Sequence, residues 1–183
     1  ELTLLDQPRL FTLFDLCEQR KNLNGSILDI GCMMGGAGIL FSSVNKKGNT
    51  YLIDTFEGFY ENEKFHKKHN FIYNGFDDLK KIIKRKKIKN TYVVKSYFPK
   101  KIKHLNINKI KLCHIDVNTF LSTKNTYEYV KKKIVKNGAI IFDDYGIYGV
   151  EQVTNFVNRI SKKDNKFFNF FYNYFGQCIL IRK

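Results

Sequence analysis

The chain has 183 residues, is 43% hydrophobic and 15% aromatic with only two prolines, and carries a net charge of +15. Those proportions exclude a disordered or low-complexity protein and suit one domain over residues 1–183, with no boundary inside it. No run has the apolar length of a membrane span, the N-terminus lacks a signal-peptide layout, and Cys17, Cys32, Cys113 and Cys178 form no C-x-x-C pair. Zinc and disulfide-exchange chemistry are excluded on that spacing, and reduced core thiols in a soluble, cytoplasmic protein are expected.

Taken in chain order, Leu5, Leu10, Leu13, Leu16 and Cys17 predict a helix to about Glu18. The first residues already read as mid-helix, so a further segment upstream, a lid or an oligomerisation element, is expected. A strand over 27–32 then enters ILDIGCMMGGAG (Ile27–Gly38), where Gly31, Gly35, Gly36 and Gly38 permit a sharp turn into a helix from about Gly36. A dinucleotide loop needs a glycine at position 33 to admit pyrophosphate, and Met33 stands there. Asp29, two residues before the first glycine, is placed for a cationic amino group or a bridging water, which suits S-adenosylmethionine better than NAD. The strand 50–54 ends on Asp54, a carboxylate in position for two ribose hydroxyls.

The connection from Glu57 to Gly75, with Phe59, Tyr60, Phe65, Phe71, Ile72 and Tyr73, reads equally as a mobile lid and as a surface excursion packed on the domain. A helix near 75–88 follows, in which Leu79, Ile82 and Ile83 keep helical spacing and leave the lysines of KKIIKRKKIK on a solvated outer face, so nucleic acid is not assigned as a partner. Strands near 91–96 and 111–116, a helix over about 123–135 with Tyr127, Val130 and Ile134 on one face, and the strand Ala139–Phe142 complete an alternation that implies a mostly parallel sheet covered on both faces. A last helix carries Val150, Val153, Val157 and Ile160, and the runs Phe167–Phe171 and Cys178–Ile181, with no helix between them, predict an antiparallel hairpin. The fold class is therefore α/β and Rossmann-like, with seven strands.

Asp116 closes one strand and Asp143–Asp144 the next. Neighbouring strands lie about 4.8 Å apart, so these carboxylates crowd together and need a cation or a retained proton. Three carboxylates without a cysteine favour a hard ion such as Mg²⁺, which would hold a substrate hydroxyl and lower its pKa. The alternative is that Asp143-Asp144-Tyr145-Gly146 is only a turn and helix cap.

With these residues in view, the chain resembles the macrocin O-methyltransferase family of class I methyltransferases, which methylate hydroxyls of sugars and related natural products with S-adenosylmethionine and a divalent metal. GSILDIGCMMGGAG resembles its glycine loop, DTFEGF its ribose segment, KSYFPKKI its third-strand segment, HIDVNTFLST and GAIIFDDYG its metal-binding pair, GVEQVTNFV the following helix and FGQCILIRK the terminal strand. The resemblance implies Asp116, Asp143 and Asp144 as metal ligands, a cofactor site of Asp29, Gly31, Gly35, Gly36, Asp54, Phe56 and Ser96, and a homo-oligomer. In one place the chain departs from the family. Asn118 stands where a second carboxylate is usual, and an amide is not a general base, though its oxygen can ligate a metal while the metal drives ionisation. Asp116 and Asn118 are the residues placed at the chemistry. His114, His66 and His69 are the alternative bases, none of them assigned, since a strand histidine is more often a structural hydrogen-bond partner. Two other functions stay open: an RNA methyltransferase using the basic surface, and a catalytically inactive cofactor-binding domain.

Overall fold

The computed structural model describes residues 2–59, 62, 67–68, 70–100, 102 and 104–183. In chain order it contains α1 (Gln7–Arg20), β1 (Ser26–Ile30), α2 (Gly36–Val44), β2 (Thr50–Asp54), α3 (Phe76–Arg85), β3 (Thr91–Lys95), β4 (Ile110–Ile115), α4 (Phe120–Val130), β5 (Ile134–Phe142), α5 (Glu151–Lys163), β6 (Phe168–Tyr172) and β7 (Cys178–Arg182). The strands form one sheet in the order β3-β2-β1-β4-β5-β7-β6. β1 to β5 are parallel, and β7 runs antiparallel between β5 and β6. This is the α/β sheet with a terminal antiparallel hairpin that the alternation predicts.

Strand parity divides the core. Ile27, Leu112, Ala139 and Ile141 meet Leu13, Leu16 and Phe41 of α1 and α2 on one face. Leu28, Cys113, Ile140 and Phe142 meet Tyr127, Val153 and Phe156 of α4 and α5 on the other. α3 joins the first face by burying Leu79 and Ile83 against Leu52. All four cysteines are buried free thiols.

One boundary differs in kind from its prediction. α4 stops at Val130, and Ile134, expected on its apolar face, opens β5 instead. Tyr127 O accepts the Lys131 N–H and Val130 O the Lys133 N–H, which closes the helix, while Ile134 pairs with Ile110. A β-branched residue at helical spacing fits either element, and pairing in the parallel sheet decides it.

At the end of the sheet where the parallel strands begin, Lys111 is fully buried without a carboxylate. Its Nζ donates to the carbonyls of Lys21 at 2.9 Å, Leu23 at 3.2 Å and Lys47 at 2.8 Å, tying the turn before β1 to the turn before β2. Removing a charged donor orphans buried acceptors, so Lys111→Met is expected to cost about 2–4 kcal/mol in urea unfolding, whereas exposed Lys109→Met stays within about 0.5 kcal/mol.

Candidate active site at the carboxyl ends of the strands

Backbone pairing continues past the strand ends and sets the carboxylates side by side. Asp116 N–H donates to Ile30 O at 2.9 Å and Asp143 N–H to Ile115 O at 3.0 Å. Between them Gly31, at φ 86°, lets the chain turn, and a Cβ at this position would run into the carbonyl of Asp116. Asp54 clamps two loops. One carboxyl oxygen accepts the Met33 N–H at 2.8 Å and the other the Phe56 N–H at 2.8 Å. Burial raises the Asp54 pKa, and those two N–H groups work against the rise.

Asp29 faces His114 across the β1–β4 pair. His114 Nδ1 lies 2.8 Å from Asp29 Oδ1 and Nε2 lies 3.3 Å from Asp143 Oδ2, with all three side chains buried. Burial alone would lower the imidazole pKa, but the bonds to Asp143 and Asp29 overcome it and raise the value well above normal, so the two carboxylates favour the ring that donates from both nitrogens. On the far side of Asp143, Arg9 of α1 reaches Asp143 Oδ1 and Asp144 Oδ1, each at 3.0 Å, and its Nε donates to Phe175 O at 2.7 Å. Burial works against the Arg9 charge, and the pull of Asp143 and Asp144 holds its pKa above the usual arginine value.

Asp116 completes the cluster. One ligand atom from each of His114, Asp116 and Asp143 lies within 4.8 Å of the others. Burial first, and then the charge of Asp143, push the Asp116 carboxyl well up, and the same two causes raise Asp144 despite Arg9. Asn118, at φ 54°, turns its amide toward both. With nitrogen facing the carboxylates it donates to Asp144 Oδ2 at 2.8 Å and to Asp116 Oδ1 at 3.2 Å.

A cavity of about 320 Å³ opens over this array, the size of a small-ligand site. Asp29, Gly31, Asp54, Ser96, Asp116, Asn118 and Asp144 line it. Gly35, Gly36, Phe56 and Asp143 stand back from the wall. A Cβ on Gly35 would strike Leu79, so that glycine serves the packing of α3. Phe56 is buried against Phe76, and Asp143 is saturated by Arg9 and His114. Phe59 and Phe71, 5.5 Å apart, bring the long connection to the cavity mouth, while Tyr60, Phe65, His66 and His69 lie outside the described residues. Three polar atoms of cavity-lining residues, Asp29 Oδ2, Ser96 Oγ and Thr126 Oγ1, are buried with no partner in the protein. Arg9 and Thr126 escape sequence reading. Arg9 looks like any basic residue in a first turn, and Thr126 like the polar side of an amphipathic helix. His114 was readable as a strand neighbour of Asp116, but its bridging role depends on which residue β1 sets opposite it.

The macrocin-O-methyltransferase (TylF) family model matches residues 2–167. Among solved structures the chain is similar to the O-methyltransferase NovP, with a TM-score of 0.83 and 16% identity over 100% of this chain and 82% of that one. It is also similar to the calicheamicin methyltransferase CalS11, with a TM-score of 0.81 and 16% identity over 98% and 80%. A third is an O-methyltransferase from Bacillus cereus in complex with SAH, at a TM-score of 0.71 and 14% identity over 100% and 84%. Comparison with curated proteins gave no match. At these identities the structural likeness carries the fold, and the family model carries the rest. A sheet whose strand ends gather Asp29, Asp54, Asp116 and Asp144 around one cavity thus belongs to a chain that is a member of the macrocin-O-methyltransferase family, a methyltransferase.

Proposed function

We propose that this chain is an S-adenosylmethionine-dependent, divalent-metal-assisted O-methyltransferase acting on a hydroxyl of a small molecule, a sugar or a glycosylated metabolite. The observation that carries the reading is Asp29 Oδ2, a buried carboxylate oxygen without a partner, in a cavity also lined by Gly31, Asp116 and Asp144. An orphaned buried carboxylate oxygen is costly unless a cationic group meets it, and the amino group of S-adenosylmethionine is such a group. When bound, that cofactor supplies an electrophilic methyl on a sulfonium.

The chain's residues divide the work. Asp54 Oδ2 accepts the Met33 N–H and keeps a lone pair for a ribose hydroxyl, while Oδ1 accepts the Phe56 N–H and, at 3.4 Å, the Thr55 hydroxyl. Gly31 brings backbone to the cavity, and the free hydroxyls of Ser96 and Thr126 offer further polar contacts. Phe56 contributes its N–H to Asp54, and Gly35 and Gly36 shape the loop. Four carboxyl groups, those of Asp29, Asp116, Asp143 and Asp144, share the site with two basic side chains, Arg9 and His114. The raised pKa values of Asp116 and Asp144 express that excess, and a divalent cation fits it. Because both His114 nitrogens are engaged, the oxygens left to hold Mg²⁺ are those of Asp116 and Asp144, with Asp143 behind them. Such an ion supplies Lewis acidity that lowers the pKa of an acceptor hydroxyl. Asn118 cannot take the proton and instead holds Asp116 and Asp144 together.

A sugar acceptor is supported by the family and by CalS11, described in a second structure as a TDP-rhamnose 3'-O-methyltransferase. What weighs against an RNA acceptor is that exposed Lys46, Lys86, Lys87, Lys89 and Lys132 stand in turns at the end of the sheet opposite the cavity. The four buried reduced thiols suit a cytoplasmic location.

Calorimetric titration with S-adenosylhomocysteine is the test. The wild-type chain is expected to bind, and Asp29→Ala to weaken binding by at least about tenfold, about 1.4 kcal/mol. No binding to the wild-type chain would overturn the reading, whereas binding without methyl transfer to any sugar would identify an inactive cofactor-binding domain. Mn²⁺ or Mg²⁺ titrated into that complex is expected to bind the wild type and not the Asp116→Asn, Asp144→Asn variant. Arg9→Met should cost about 3 kcal/mol in urea unfolding by leaving Asp143 to His114 alone and taking from Asp144 its ion-pair partner, a loss partly recovered in saturating Mg²⁺.

A further inference from the structure

Part of the net charge of +15 is clustered away from the cavity, while exposed Lys95, which ends β3 and pairs with Glu57, stands on the cavity side. Since β1 to β5 are parallel, and β6 runs in the same sense through β7, the turns α2–β2, α3–β3, α4–β5 and α5–β6 all lie at the end of the sheet opposite the cavity. Exposed Lys46, Lys86, Lys87, Lys89 and Lys132 occupy these turns, with Lys136 just inside β5, and none of them makes an ion pair among the described residues. The carboxylate within the turns is Asp164, which is buried and accepts the Tyr127 hydroxyl at 2.6 Å. Lysines in the last turns of α3 and α5 answer the helix dipoles, but that effect fades within a turn and does not account for charge placed beyond the helix ends.

We infer that this lysine-covered end is a docking surface for an anionic lipid bilayer, holding the enzyme with its cavity facing away from the membrane. Three observations select a planar layer of headgroups over a nucleic-acid strand. α3 lies on the same sheet face as α1 and α2, while α4 and α5 lie on the other, so the charges descend from both faces and cover an area rather than line a groove. From edge strand β3 to edge strand β6 that area spans about 29 Å, six strand spacings. The cations are chiefly lysines, point charges suited to headgroup attraction rather than forked phosphate recognition. Half-exposed Tyr92 on β3 and Phe167 beside β6 stand at the two edges of this end, as aromatic side chains do at a membrane interface.

The test is co-sedimentation of the full chain with vesicles of phosphatidylcholine containing phosphatidylglycerol, against phosphatidylcholine alone and against a single-stranded RNA oligonucleotide. The expected result is sedimentation with the anionic vesicles alone, lost on raising NaCl from about 0.1 M to about 1 M, where the Debye length falls from about 10 Å to about 3 Å. The variant Lys86→Glu, Lys89→Glu, Lys132→Glu, Lys136→Glu should lower the bound fraction at least about tenfold while keeping its thermal midpoint and S-adenosylhomocysteine affinity. Those residues lie far from the cavity, so a failure here leaves the methyltransferase reading untouched. Equal binding to both vesicles, binding unchanged in the folded variant, or binding to RNA with none to vesicles would each overturn the inference.

Discussion

Carboxylates at the ends of neighbouring parallel strands can share a buried site only if cations stand between them, and much of this molecule is arranged around that requirement. His114 lies between Asp29 and Asp143, and Arg9 between Asp143 and Asp144, so negative and positive groups alternate from β1 across β4 and β5 to α1. Asp143 is the hinge of this chain because both of its oxygens are spoken for. The excess charge falls on Asp116 and Asp144, the two acids that open to the cavity. Their carboxyls are held above the ordinary range by burial and by Asp143, a state that a dication would relieve.

The same parallel order polarises the whole fold. Every helix between parallel strands begins near the cavity and ends at the far side, so the positive ends of the helix dipoles face the acidic cluster. Asp29, Asp54, Asp116, Asp143 and Asp144 gather toward the strand ends, and Lys46, Lys86, Lys87, Lys89 and Lys132 stand in turns where strands begin. At that end the buried amine of Lys111 is held by three carbonyls rather than a carboxylate, which ties the turn before β1 to the turn before β2 that carries Lys46.

Much of the candidate site is legible as sequence. Asp29, Asp54, Asp116 and Asp143 each end or punctuate an apolar β run, and in an α/β alternation such ends converge on one edge. Where the reading fell short, a local pattern had two structural meanings. The glycines of GCMMGGAG look alike in sequence, yet Gly31 is demanded by the carbonyl of Asp116 and Gly35 by Leu79, contacts with residues far along the chain. Ile134 satisfies helix and strand periodicity alike. Asn118 reads as a lost carboxylate, whereas in the fold its amide bridges the two acids that remain.

By itself, the sequence determined the α/β class, the order of the elements, the terminal hairpin and the acids at the strand ends, because periodicity and β-branched runs are local properties that survive without knowledge of neighbours. Only the tertiary structure decided which cation meets which carboxylate, that Arg9 reaches the candidate site, that Asp29 keeps one oxygen unpaired, and that the lysines of the α2–β2, α3–β3 and α4–β5 turns share one end of the sheet. Each of those depends on which residues strand register and helix packing bring within about 3 Å of one another, and interactions at that range are set by the fold rather than by separation along the chain.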